Sequence, residues 1–272
     1  MIPLSDYNVW RNNTKRPYVT WIIIALCVIV FIYQVTLSLS PSGYRDSTDN
    51  SISKDDIFIY EYGMVPARVI GRELPQDFPV SPVIPLLTLI TSIFLHGGWT
   101  HIGFNMMFLW VFGDNIERAF GWFGYLAFYL VGGVAANLAH MAFSLSGDSA
   151  LTPTIGASGA IAAVMGAYLA LFPTARIRTL VMFFFITFTD IAAYWFLLIW
   201  FGLQIFGLLG GQQGVAIWAH IGGFVFGWAV GFVYLRFTRP NAPPPWQPLV
   251  GRRGIKREPE RLEEEKYDIW KR

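Results

Sequence analysis

Six times between residues 19 and 237 the chain runs apolar for roughly the length that crosses a bilayer: near 19–39, 99–117, 122–144, 156–173, 190–209 and 215–237. A spanning helix takes about 20 mostly apolar residues, because the hydrocarbon core is about 30 Å thick and each helical residue rises about 1.5 Å. The fourth run is short. A further apolar stretch at 82–95 contains Pro82 and Pro85 and reads as a membrane-edge segment, not a seventh span. Only 14% of the residues are charged, against about 25% in a soluble domain, too few to cover a water-facing surface. The first run is longer than the roughly 7–15 residues of a signal-peptide core. It is followed by Ser40-Pro41, with no small-residue cleavage pattern, so it reads as an uncleaved first span. The expected fold is an all-α membrane protein of six transmembrane helices.

Basic residues orient this bundle. With both termini cytoplasmic, 16 of the 20 Lys and Arg fall on the inner side and only Arg45, Lys54, Arg68 and Arg72 on the outer side. Cytoplasmic loops carry the excess of Lys and Arg in membrane proteins. The organisation expected is a cytoplasmic segment 1–17, a membrane domain 18–238 and a cytoplasmic tail 239–272. The first outer loop, about 40–95, is long, and its part 40–81 is polar with an acidic excess. The tail is Pro-rich over 240–248 and mixed in charge over 258–272, where a short helix is expected. Cys27 is the single cysteine, which excludes an internal disulfide and a cysteine-built zinc site.

Ionisable and polar groups inside spans are costly, which makes each one a functional candidate. All four histidines, His96, His101, His140 and His220, fall in or beside apolar runs. His101 and Asn105 are four apart and share a helix face in the second run. Ser158 lies in Gly156-Ala157-Ser158-Gly159-Ala160 of the fourth run, and His220 in Ala219-His220-Ile221-Gly222-Gly223 of the sixth. Runs two, four and six all pass from outside to inside. The four residues sit in the first third of each, at one shallow depth on the outer side. A hydroxyl, an imidazole and hydrogen-bond donors at one level are the inventory of acyl transfer. Small residues on runs four and six (Gly156, Gly159, Ala160, Ala163 and Gly166; Gly223, Gly227 and Gly231) are of the kind that lets two helix backbones meet closely in lipid. His140 has no evident partner and reads as structural, His96 as a cap or anchor, and Asp190 as a carboxylate at the inner end of the fifth span.

The motifs resemble the rhomboid family of intramembrane serine proteases over about residues 60–235. The matching segments are Phe94-Leu95-His96-Gly97-Gly98-Trp99-Thr100-His101, Asn105-Met106, Phe112-Gly113-Asp114-Asn115 with Glu117, Gly156-Ala157-Ser158-Gly159-Ala160 and Ala219-His220-Ile221-Gly222-Gly223. The resemblance implies a six-helix rhomboid bundle with a cavity opening outward. It implies Ser158 as nucleophile and His220 as general base in a dyad without aspartate. His101, Asn105 and the Ser158 N–H would form the oxyanion hole. Transmembrane proteins would be the substrates, cut near the outer face, with no cofactor, no metal and no nucleic acid. The sequence departs from the family pattern twice. Leu87-Thr88 stands where many members carry Trp-Arg. Ala162 stands one turn after the nucleophile, where some carry an aromatic that stacks on the base, so support for His220 must come from elsewhere.

The main rival is a non-catalytic rhomboid-like protein that binds membrane clients; such relatives lack the Ser or the His. A transporter is disfavoured by the absence of an inverted repeat and of a carboxylate ladder. A zinc protease needs His-Glu-x-x-His, which the chain lacks. An aspartyl protease needs two facing aspartates, while Asp114 and Asp190 both fall at inner helix ends. With no transit peptide visible, the expected location is a bacterial inner membrane.

Overall fold

A run of 21 residues with no charge makes the helix α1 (Tyr18–Ser38), which begins directly after Pro17. The computed structural model describes residues 1–6, 16–45, 51–75, 81–182, 186–209 and 216–238. The expected tail, including its helix at 258–272, lies outside the described residues. After α1 come the small helices α2 (Lys54–Tyr62), α3 (Pro66–Val69) and α4 (Thr88–Thr91), then α5 (Trp99–Ala142), α6 (Ser158–Leu171), α7 (Ala193–Leu209) and α8 (Ile217–Thr238). The chain is mostly helical. Among the described residues α1, α5 and α8 are long and apolar enough to cross a membrane, while α6 and α7 are shorter apolar helices. Their outer faces expose Ile22, Ile29, Trp110, Leu203 and Phe206, a surface suited to lipid and costly in water.

The second and third expected spans are the two helical arms of α5, which meet directly at Gly121, whose φ of 75° and ψ of 164° are not helical. Glycine reaches that positive φ without steric cost. The chain can therefore reverse between the arms 99–120 and 122–142 without a separate loop.

α6 is the centre. Every residue from 159 to 168 is buried, because α5 and α8 pack along it and α7 closes part of its remaining side. The glycine expectation is met in detail. A Cβ on Gly223 would enter the carbonyl of Gly159, one on Gly227 that of Ala163, and one on Gly166 that of Phe224. The backbones of α6 and α8 thus touch, which is how small residues drive helix association in lipid.

Buried polar locks join the outer elements to this core. The Glu117 carboxylate accepts the backbone N–H groups of Val19 and Thr20, at 2.9 and 2.8 Å, and the Thr20 hydroxyl at 2.8 Å. It caps the orphan donors and the positive end of α1. Gln34 of α1 accepts from the His96 N–H at 3.0 Å and donates to Asp55 of α2 at 3.1 Å. Arg68 donates to the carbonyls of Tyr60 and Val83, at 2.6 and 3.2 Å, tying the long loop together.

The all-α expectation is corrected by five short strands among the described residues. β1 (Ile2–Asp6), β4 (Arg176–Met182) and β5 (Ile186–Ala192) form an antiparallel sheet in the order β1-β4-β5, and β2 (Pro41–Arg45) pairs with β3 (Ser51–Ser53). Ile2 pairs with Leu180 and Arg176 with Ala192. The residues Arg-Ile-Arg-Thr-Leu-Val-Met and Ile-Thr-Phe-Thr-Asp-Ile-Ala are rich in β-branched side chains, which suit a pleated surface. Asp190 accordingly lies in β5 opposite Arg178, not in the fifth apolar helix, which starts at Ala193.

Candidate active site

Ser158 is the first residue of α6, and Ala157 precedes it as the cap. The first N–H groups of a helix have no acceptor within it. The Ser158 hydroxyl therefore sits beside free backbone donors at the positive end of a buried helix. The segment before it is held on both sides: Gly156 N–H donates to the Ser92 carbonyl at 2.9 Å, and Thr154 pairs with Met64. Ser92 is steadied in turn by Asn137, whose amide donates to the Ser92 hydroxyl and to the Leu89 carbonyl, each at 2.9 Å.

α8 brings His220 to this point. The Ser158 hydroxyl and His220 Nε2 are 2.8 Å apart, across 62 residues of sequence. That is within the reach needed for proton transfer between nucleophile and base. The close contact of α6 with α8 makes the distance possible, since any side chain at Gly223 would force the two helices apart at the turn next to His220.

His101 and Asn105, one turn apart on α5, face the segment that leads into Ser158. A Cβ added to Gly156 would lie 2.7 Å from His101 Nε2 and 3.7 Å from Asn105 Nδ2. The φ of +120° at Gly156 is likewise closed to ordinary side chains. His101 Nδ1 accepts from the Gly97 N–H at 3.3 Å, which leaves its Nε2 as the protonated, donating nitrogen. Asn105 is buried, and its Nδ2 has no hydrogen-bond partner. A buried amide without an acceptor is costly, and an anion forming in front of Ser158 would relieve that cost.

All four expected site residues thus come together at one end of the bundle. His140 is nearby on α5, with its Nε2 3.3 Å from the Ser144 hydroxyl. The missing aromatic at Ala162 is answered from α7. The Trp200 ring lies 5.9 Å from that of His220, inclined at 40°, and Gln204 Oε1 is 2.8 Å from His220 Nδ1. Sequence reading did not single out Gln204. The signal was present, since it is the one amide side chain in the apolar run of α7.

A model of the Rhomboid domain family matches residues 85–237, more than half of the chain. The chain is 32% identical over 158 residues to Presenilin-associated rhomboid-like protein A, mitochondrial, of Danio rerio, covering 58% of this chain and 40% of that one. It is 40% identical over 81 residues to Rhomboid protease GluP of Bacillus subtilis, covering 30% of this chain and 15% of that one. It is 29% identical over 172 residues to Rhomboid protease AarA of Providencia stuartii, covering 60% and 53%. The matched region spans less than two thirds of the length of each of these relatives. Every element that carries the site, from the turn before α4 to α8, falls inside the matched stretch, and the chain belongs to the rhomboid family.

Proposed function

We propose that the protein is an intramembrane serine endopeptidase. Ser158 is the nucleophile and His220 the general base. The Ser158 Oγ attacks the scissile carbonyl carbon while His220 Nε2 takes the hydroxyl proton. The carbonyl oxygen becomes an oxyanion that receives hydrogen bonds from the Ser158 N–H, His101 Nε2 and Asn105 Nδ2. The tetrahedral species collapses as His220 passes its proton to the leaving amine, giving an acyl-enzyme. Water, deprotonated by the same imidazole, then releases the acid. The Ser158–His220 hydrogen bond of 2.8 Å carries this reading, and the unpaired Asn105 amide supports the oxyanion assignment. The pair also weighs against a purely client-binding role, which has no use for an aligned hydroxyl and imidazole.

The reading takes α1, the two arms of α5, α6, α7 and α8 as six spans with both termini cytoplasmic, supported by the distribution of Lys and Arg. The site then lies at the outer side, and the substrates are membrane proteins cut within a transmembrane segment near that face. Helical backbone groups are already paired, so a segment that unwinds at the site presents its peptide bond most readily. The location expected from the sequence, a bacterial inner membrane, gains no support from the relatives, since a mitochondrial protein stands among them beside bacterial ones.

The test is cleavage of a reporter transmembrane substrate by the full chain in proteoliposomes. Wild type cuts it at one position, and Ser158→Ala, folded and inserted, leaves it whole. Cutting that persists in Ser158→Ala removes the nucleophile assignment.

A further inference from the structure

Resting on the proposed protease reading, we infer that Gln204 is a positioning residue for His220, the third member of a Ser158–His220–Gln204 relay. Gln204 lies on the face of α7 that also carries Ala193, Leu197 and Trp200, spaced at helical intervals and turned toward α6 and α8. Its Oε1 is 2.8 Å from His220 Nδ1, and its Nε2 is 3.5 Å from the Trp200 carbonyl one turn earlier. These two contacts fix which way the amide points. Reversed, it would set its oxygen against the Trp200 carbonyl oxygen, two acceptors facing each other.

The amide orientation in turn fixes the imidazole. With an oxygen facing Nδ1, the neutral ring carries its proton on Nδ1 and donates it to Gln204. The lone pair is then on Nε2, the nitrogen 2.8 Å from the Ser158 hydroxyl. That is the tautomer a general base requires, and the wrong one costs a serine protease most of its turnover. In the chemical step the Ser158 proton moves to Nε2, and the Nδ1–H stays in place. Gln204 gives up nothing. Its carbonyl dipole faces the ring as it becomes positive, and no second charge is buried in the membrane. Trp200 limits the other freedom of the ring, its tilt, from 5.9 Å away. His101 on α5 holds the opposite tautomer through the Gly97 N–H, so each site histidine has its proton placed by a different neighbour.

The experiment compares full-length wild type, Gln204→Met and Gln204→Glu on one reporter substrate in proteoliposomes, with Ser158→Ala as the blank. Methionine keeps the length and volume and loses the acceptor, while glutamate keeps an acceptor oxygen. The expected result is a kcat lowered about 10- to 100-fold in Gln204→Met, with KM and unfolding temperature unchanged, and recovery of most of that loss in Gln204→Glu. A purely structural role would move the unfolding temperature and leave the two variants alike. Wild-type kcat in Gln204→Met, or no recovery in Gln204→Glu, overturns the inference while Ser158-dependent cleavage by wild type stands. Absence of any Ser158-dependent cleavage in wild type overturns both this inference and the protease reading.

Discussion

Gly227 of α8 lies against the carbonyl of Ala163 on α6 so closely that no side chain fits between the two backbones. This contact lies five residues along α6 from Ser158 and seven along α8 from His220, and it sets the separation of the helices that carry them. Gly227→Ala should lower stability by about 1–3 kcal/mol, the range for overpacking a filled core. It should also slow cleavage by lengthening the dyad hydrogen bond. Unfolding in detergent and turnover on one reporter substrate measure both. An unchanged pair of values means the contact has slack that the structure does not show.

Asn105→Ala separates catalysis from stability. Nδ2 of Asn105 is buried and has no partner to lose, so the substitution should leave the unfolding temperature level or raised. Removal of one oxyanion donor should cost kcat about 10²–10³-fold, with KM little changed. Wild-type kcat in this variant takes Asn105 out of the oxyanion hole.

Glu117→Ala should show the reverse pattern. Its carboxylate accepts three hydrogen bonds from the start of α1, and their loss leaves buried donors without acceptors at a cost of about 1–3 kcal/mol. Glu117 is remote from Ser158. The fraction that remains folded should therefore label and cleave at the wild-type rate, which active-site titration against total protein reads directly.

Asp6 supplies a pH signature at the opposite end of the bundle. Burial raises its carboxyl above the ordinary range, against the opposing effect of hydrogen bonds from Tyr168 and Asn115. The folded state therefore holds the proton more tightly than the unfolded chain does. The stability this contributes is complete below the unfolded value of 3.8 and is lost as pH rises through the raised folded value. Asp6→Asn keeps the acceptor oxygen and should flatten that part of the stability curve. Identical slopes in the two proteins on the acid side of neutrality would contradict it.

Much of the helical architecture was legible because its message is repeated in six apolar runs, against which a few polar residues stand out. Ser158, His220, His101 and Asn105 were each conspicuous against an apolar background. Their meeting at one end of the bundle was expected from the directions assigned to the apolar runs. What escaped depends on partners far apart in the chain. β1 pairs with β4 across more than 170 residues, and neither strand declares its mate, so Arg176–Met182 fell between two apolar runs and Asp190 read as part of a helix. That the two arms of α5 meet at Gly121 with no loop between them is marked in the sequence by one glycine among 26. Gln204 was visible as a lone amide, but its use depends on how α7 turns toward His220, which spacing does not determine.

The central claim is that Ser158 is an activated nucleophile. Purified full-length protein in detergent, treated with a fluorophosphonate probe and measured by intact mass, tests it most directly. The account predicts one adduct on wild type, located to Ser158, and none on Ser158→Ala or His220→Ala. An adduct of equal extent on Ser158→Ala, or full labelling after loss of His220, would contradict it.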